Sequence, residues 1–147
     1  MADGFDTLRN EHREIDDLAA RYEREHDDTT AYDVCERITI HAHIEEAALY
    51  PELRRLVDGG DDLADRAEQE HSVLKTLIAQ VYGSPPEELV HLMQRLAEQT
   101  REHVDAEESE LFPQMLESGV DALALGDALE KARAAIPAET VRSRRSS

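Results

Sequence analysis

His41-Ala42-His43-Ile44-Glu45-Glu46-Ala47-Ala48-Leu49-Tyr50-Pro51 returns later in the chain as His103-Val104-Asp105-Ala106-Glu107-Glu108-Ser109-Glu110-Leu111-Phe112-Pro113. A second echo precedes each copy, Asn10-Glu11-His12 and Gln69-Glu70-His71. The chain thus carries the same set twice: a lone His, then His-x-x-x-Glu. In a helix, residues four apart project from one face about 6 Å from each other. His41 is therefore paired with Glu45, and His103 with Glu107. Leu49 and Leu111 continue each stripe by one more turn, which marks the face as inward. Buried imidazoles and carboxylates need compensation, and a pair of metal ions supplies it.

Working outward, helical periodicity covers almost the whole chain. Phe5, Leu8, Ile15, Leu18, Ala19 and Tyr22 space a first helix to about His26. Asp27-Asp28-Thr29-Thr30 offers caps for a second. That helix runs to about Val57, is stopped by Asp58-Gly59-Gly60, and should kink or end its first part at Pro51. Asp61 or Asp62 opens a third, closed by Gly83. Ser84-Pro85-Pro86-Glu87 reads as a capping box with Ser84 at the N-cap and Pro85 at the first helical position. The fourth helix continues to about Glu117, with a second internal proline at Pro113. Val120 to about Ile136 forms a shorter amphipathic segment across the bundle end. The short connections make neighbouring helices antiparallel. The expected fold is all-α: an up-down-up-down antiparallel four-helix bundle with a short C-terminal fifth helix.

Depth supports one shared site. The midpoint between His12 and His41 falls near Asp27, that between His41 and His71 at Leu56, and that between His71 and His103 at Glu87. Each lies at or beside a loop, within roughly 5 Å of helix rise. All four histidines therefore stand at one level of the bundle. Bundle sites of this kind are built from inward Glu and His on four helices, and this donor set suits iron, with manganese or zinc also compatible.

Composition narrows the remaining classes. A chain of 147 residues fits one domain, read as residues 1–136 with the bundle core at 5–117. The basic tail 137–147, with Arg142, Arg144 and Arg145, reads as disordered. A formal net charge of −18 repels nucleic acid and anionic lipid. No apolar run approaches the 18 residues of a membrane span. Cys35 is the single cysteine, the N-terminus has no apolar export segment, and a reducing cytoplasm is expected. A monomer or weak homodimer is expected.

The repeated motif, with Leu-Tyr/Phe-Pro after each copy, resembles the haemerythrin-like family of HHE cation-binding domains over roughly residues 5 to 117. The resemblance implies that His12 and His41 bind one iron and His71 and His103 the other. Glu45 and Glu107 would bridge the two, with an oxo or hydroxo bridge and a position left for O2, peroxide or NO. The sequence departs from the oxygen carriers, in which the third helix bears His-x-x-x-His and the fourth His-x-x-x-x-Asp. Here the third helix reads His71-Ser72-Val73-Leu74-Lys75, which puts reversible O2 transport in doubt. The symmetric set is similar to that of bacterial relatives associated with peroxide decomposition, and to an iron-sensing domain of a ubiquitin-ligase subunit. Two functions follow: catalase-like decomposition of hydrogen peroxide, or sensing, binding or storage of iron, O2 or NO without turnover.

Several residues are assigned blander roles. His43 with Glu46 would be an alternative register, but Asp105 stands at the position of His43 in the second copy. His26 and His91 lack partners and are expected at the surface. Glu11, Glu70 and Glu102 each precede a ligand His and could accept from imidazole N–H groups, with solvated helix faces favoured. Lys75 is one turn from His71 and is a candidate charge partner. Tyr50 is rotated about 100° from Leu49, which leaves it out of the ligand set.

Overall fold

The computed structural model describes residues 3–137, and every regular element among them is helical. Helix α1 (Gly4–Glu25) starts under the side chain of Asp3, which accepts from the backbone N–H groups of Phe5 and Asp6. It stops at His26, whose φ of 51° breaks the helix. Asp27 caps α2 (Asp28–Ile44) through the N–H of Thr29. The chain then passes through a π turn, Glu45–Leu49, into α3 (Tyr50–Leu56). Helix α4 (Gly60–Gly83) follows after a tight corner. A Cβ on Gly60 would fall on the carbonyl of Leu53, so only glycine lets α4 leave α3 this closely. Helix α5 (Pro86–Ala106) leads through a second π turn, Glu107–Leu111, into α6 (Phe112–Glu117). Asp121 caps the last helix, α7 (Ala122–Ala134).

The prolines act through the turns that precede them. The first part of the second helix ends ahead of Pro51, at Ile44, and Pro51 and Pro113 each follow a π turn. Proline has no N–H to return to the carbonyl four residues back. The residue before it takes up the slack: Tyr50 N–H bonds to Glu45 O and Phe112 N–H to Glu107 O, five residues back instead of four. The capping box at Ser84 does not form. Pro85, not Ser84, is the N-cap, with extended backbone at ψ 157° and no side-chain cap. A residue that precedes proline is held out of the helical region, so the second proline, Pro86, sets the start. The expected fifth helix is shorter at both ends than Val120 to Ile136. The expected tail lies, from residue 138 on, outside the described residues.

The apolar core is split in two. One cluster contains Phe5, Leu8, Leu49, Leu53, Leu111 and Phe112 and is roofed by Leu125 and Leu129 of α7. The other contains Ile15, Val34, Ile38, Leu77, Met93 and Leu96. Between them lies a buried polar belt: His12, His41, Glu45, His71, His103 and Glu107. Among the described residues, no helix is long and apolar enough to cross a membrane.

Candidate metal centre

The six side chains singled out by spacing meet in this belt. They form two groups with all donor atoms within 4.8 Å of one another: His12, His41, Glu45 and Glu107, and then Glu45, His71, His103 and Glu107. His12 Nε2 and His41 Nε2 face each other at 3.0 Å, as do His71 Nε2 and His103 Nε2. Two nitrogens each about 2.1 Å from a shared ion, at right angles, would stand roughly 3 Å apart. The two glutamates lie across both groups. Glu45 turns Oε2 to His41 Nε2 (3.1 Å) and Oε1 to His71 Nε2 (3.0 Å). Glu107 turns Oε1 to His12 Nε2 (3.3 Å) and Oε2 to His103 Nε2 (3.2 Å). Glu45 Oε2 and Glu107 Oε1 are buried and accept no well-formed hydrogen bond. Orphaned buried carboxylate oxygens are costly, and a cation is the partner that would satisfy them.

The far side of every imidazole is held by a carboxylate from another helix. His41 Nδ1 donates to Glu11 Oε1 (2.7 Å) and His103 Nδ1 to Glu70 Oε1 (2.6 Å). His12 Nδ1 donates to Glu108 Oε2 (2.6 Å) and His71 Nδ1 to Glu46 Oε2 (3.2 Å). A carboxylate only accepts, so the proton sits on Nδ1 and each Nε2 lone pair is aimed into the belt. The pattern repeats under the exchange of 11 with 70, 12 with 71, 41 with 103, 45 with 107 and 46 with 108. The favoured reading of Glu11 and Glu70 as solvated faces is therefore wrong. They reach across to a neighbouring helix, which spacing along their own helix does not reveal. Glu102 donates nothing to this arrangement.

The chain is matched by the family model described as the hemerythrin HHE cation binding domain, over residues 3–115. It belongs to the hemerythrin HHE family. No curated protein and no solved structure matches it.

Within this hemerythrin domain the symmetry breaks at one pair of rings. Tyr50 is buried, and its hydroxyl donates to Glu107 Oε2 at 2.7 Å. The same oxygen lies 3.1 Å from His71 Nε2. Its counterpart is Phe112, whose ring stacks on His12 with centroids 6.2 Å apart and carries no hydroxyl. The 100° step that turned Tyr50 away from the site does not hold, because it assumes an unbroken α-helix. The π turn lengthens the turn to five residues and brings Tyr50 round over Glu45. The Pro51 that follows was the available signal. Lys75 does reach the second half, through Glu46 (3.3 Å). In the first half Arg133 of α7 grips Glu11. His26 and His91 are exposed, as expected, and His43 of the alternative register is exposed too.

Without a metal the belt holds protons. Burial disfavours an imidazolium, yet Glu45 beside it and Glu11 behind it raise His41 to about 10. His103 and His71 also rise against burial, lifted by Glu107 and by Glu45 respectively. Burial pushes the Glu45 carboxyl up, but His41, Glu107 and His103 together outweigh it and hold the group well below the carboxylate range. Burial and the two glutamates push the Tyr50 phenol well above its usual value, so it remains a donor. Burial alone raises Cys35 to about 12 and leaves it an inert thiol.

Proposed function

We propose that His12, His41, Glu45, His71, His103 and Glu107 hold two iron ions, and that the domain decomposes hydrogen peroxide there. The observation behind this reading is the sharing of both glutamates, with one oxygen of each turned to either half. When bound, the iron pair would supply the two-electron redox change that the side chains cannot. The chain's own contribution is positional. Glu11, Glu46, Glu70 and Glu108 fix the imidazole tautomers, and the two apolar clusters keep bulk water away. Tyr50 holds a donatable proton 2.7 Å from a shared carboxylate. The helix order belongs to the same reading. Helices α1 and α4 run from the Phe5 cluster to the Ile15 cluster, and α2 and α5 return, which supports an up-down-up-down antiparallel bundle.

Metal content of aerobically purified, tag-free protein tests the site, with about two irons per chain expected. Oxygen evolution on adding peroxide tests the activity; a yield no higher than that of free iron rejects it. A second reading, binding or sensing of iron, O2 or NO without turnover, is favoured by the near-complete burial of all six side chains. Its mark would be a reversible change in stability with iron or O2 and no turnover.

A further inference from the structure

A cavity of about 470 Å3 opens beside the belt, between α1, α2 and α5. An apolar cavity of roughly 150 Å3 already takes benzene, and small-molecule sites begin at about 300 Å3. This one is far larger than O2 or peroxide requires. Its floor is Ile15 of α1, Val34 and Ile38 of α2, and Met93 and Leu96 of α5, all buried apolar side chains. One end stops at His12 and at Glu108, the carboxylate that holds His12 Nδ1.

The rim selects a head group. Arg101 is tied to Asp16 by a 3.2 Å contact across the mouth, and Arg13 donates to Asn10 on its own helix. Among the described residues the side chains of Asp17 and Asp105 have no partner. The rim thus sets four carboxylates, Asp16, Asp17, Asp105 and Glu108, against the two guanidinium groups of Arg13 and Arg101, and its excess charge is negative. A cationic, hydrogen-bond-donating head is favoured there over a carboxylate.

We propose that the α1–α2–α5 cavity binds a compact organic molecule with an apolar ring or chain and a hydrogen-bond-donating head, an amine before an alcohol. The occupant lies against His12, on the half of the centre that bears Phe112 instead of Tyr50. This site is separate from the six side chains of the belt, and its test needs no redox activity.

The test uses the three methionines. Met93 lines the cavity, whereas Met115 lies in the other apolar cluster and serves as an internal control. The full chain, with 13C-labelled methionine methyls and diamagnetic zinc in place of iron, is titrated with phenethylamine, 2-phenylethanol and phenylacetate. A saturable shift of Met93 with Met115 unmoved is expected, with the amine binding at least about tenfold tighter than the carboxylate. Ala97→Phe, which fills the cavity from α5, should abolish the shift. If that variant does not fold, Asp105→Lys replaces it and should bring phenylacetate level with phenethylamine. Absence of a saturable Met93 shift overturns the proposal, as does equal binding of all three probes or unchanged affinity in the variant. None of these results bears on iron content or peroxide turnover, so the two readings fail separately.

Discussion

The His12–His41 half of the centre and the His71–His103 half are near copies in their donor atoms and differ in what surrounds them. Both present a pair of Nε2 atoms 3.0 Å apart, each imidazole braced by a glutamate from another helix. The first has Phe112 over His12, an Arg133 brace from α7 and an organic-sized cavity at its side. The second has the Tyr50 hydroxyl among its donors and Lys75 behind Glu46. The difference teaches that the repeat specifies where ions would be held. The chemistry available at each half is set where the two copies differ, as at Tyr50 and Phe112, and by neighbours outside the repeat.

The largest effect should come from what the halves share. Glu45→Ala or Glu107→Ala removes a side chain that serves both, and iron content should fall close to zero, measured per chain by elemental analysis. His103→Ala strikes one half, so about one iron should remain, while His91→Ala, on the exposed face, should retain both. Equal iron in the two His variants would remove the site assignment.

A third experiment asks whether protons stand in for metal. A histidine raised in the folded state stabilises it fully below its unfolded value, about 6.5, and the contribution is lost as pH rises through the folded value. For His41 that loss extends to about pH 10. Glu45, depressed by folding, acts oppositely: its contribution is present above about pH 4.3 and is lost as pH falls. The metal-free domain should therefore melt highest between roughly pH 4.5 and 6.5 and weaken steadily to pH 10. The metal-loaded domain should lack the alkaline loss. Parallel alkaline melts for the two forms would contradict this.

Smaller changes sharpen the contrast between the halves. Glu70→Ala should weaken metal binding by about 10- to 100-fold at the His103 half alone, and Glu11→Ala should do the same at the His41 half. Competition against a chelator reads both constants. Tyr50→Phe makes the two ring positions alike. It should cost about 1.5–3 kcal/mol of stability, and in loaded protein the two metal positions should become harder to tell apart spectroscopically.

What the sequence made legible follows the reach of a single helical period. His12, His41, Glu45, His71, His103 and Glu107 were readable because the His-to-Glu step of each copy is made before the π turn changes the period. Tyr50 lies one π turn beyond Glu45, where the period changes, and so it was misplaced. Glu11, Glu46, Glu70 and Glu108 were unreadable for another reason. Each bonds a histidine on a different helix, so only the packing of the helices tells which glutamate beside a ligand faces inward. Pro85 was misjudged because the cap signature at Ser84 ignored the second proline.

Each π turn is, in register, one surplus residue inside an α-helix. Length, and not only residue type, is therefore a variable on which the centre depends. Removing Ala47 would return the segment to the ordinary period without altering any donor upstream of it. Tyr50 would then stand four residues from Glu45 instead of five, still one turn above it, and would keep its place over the carboxylate. A length change that no π turn absorbs would instead rotate the downstream segment by about 100° and exchange the group over Glu45, with the six-residue set left intact.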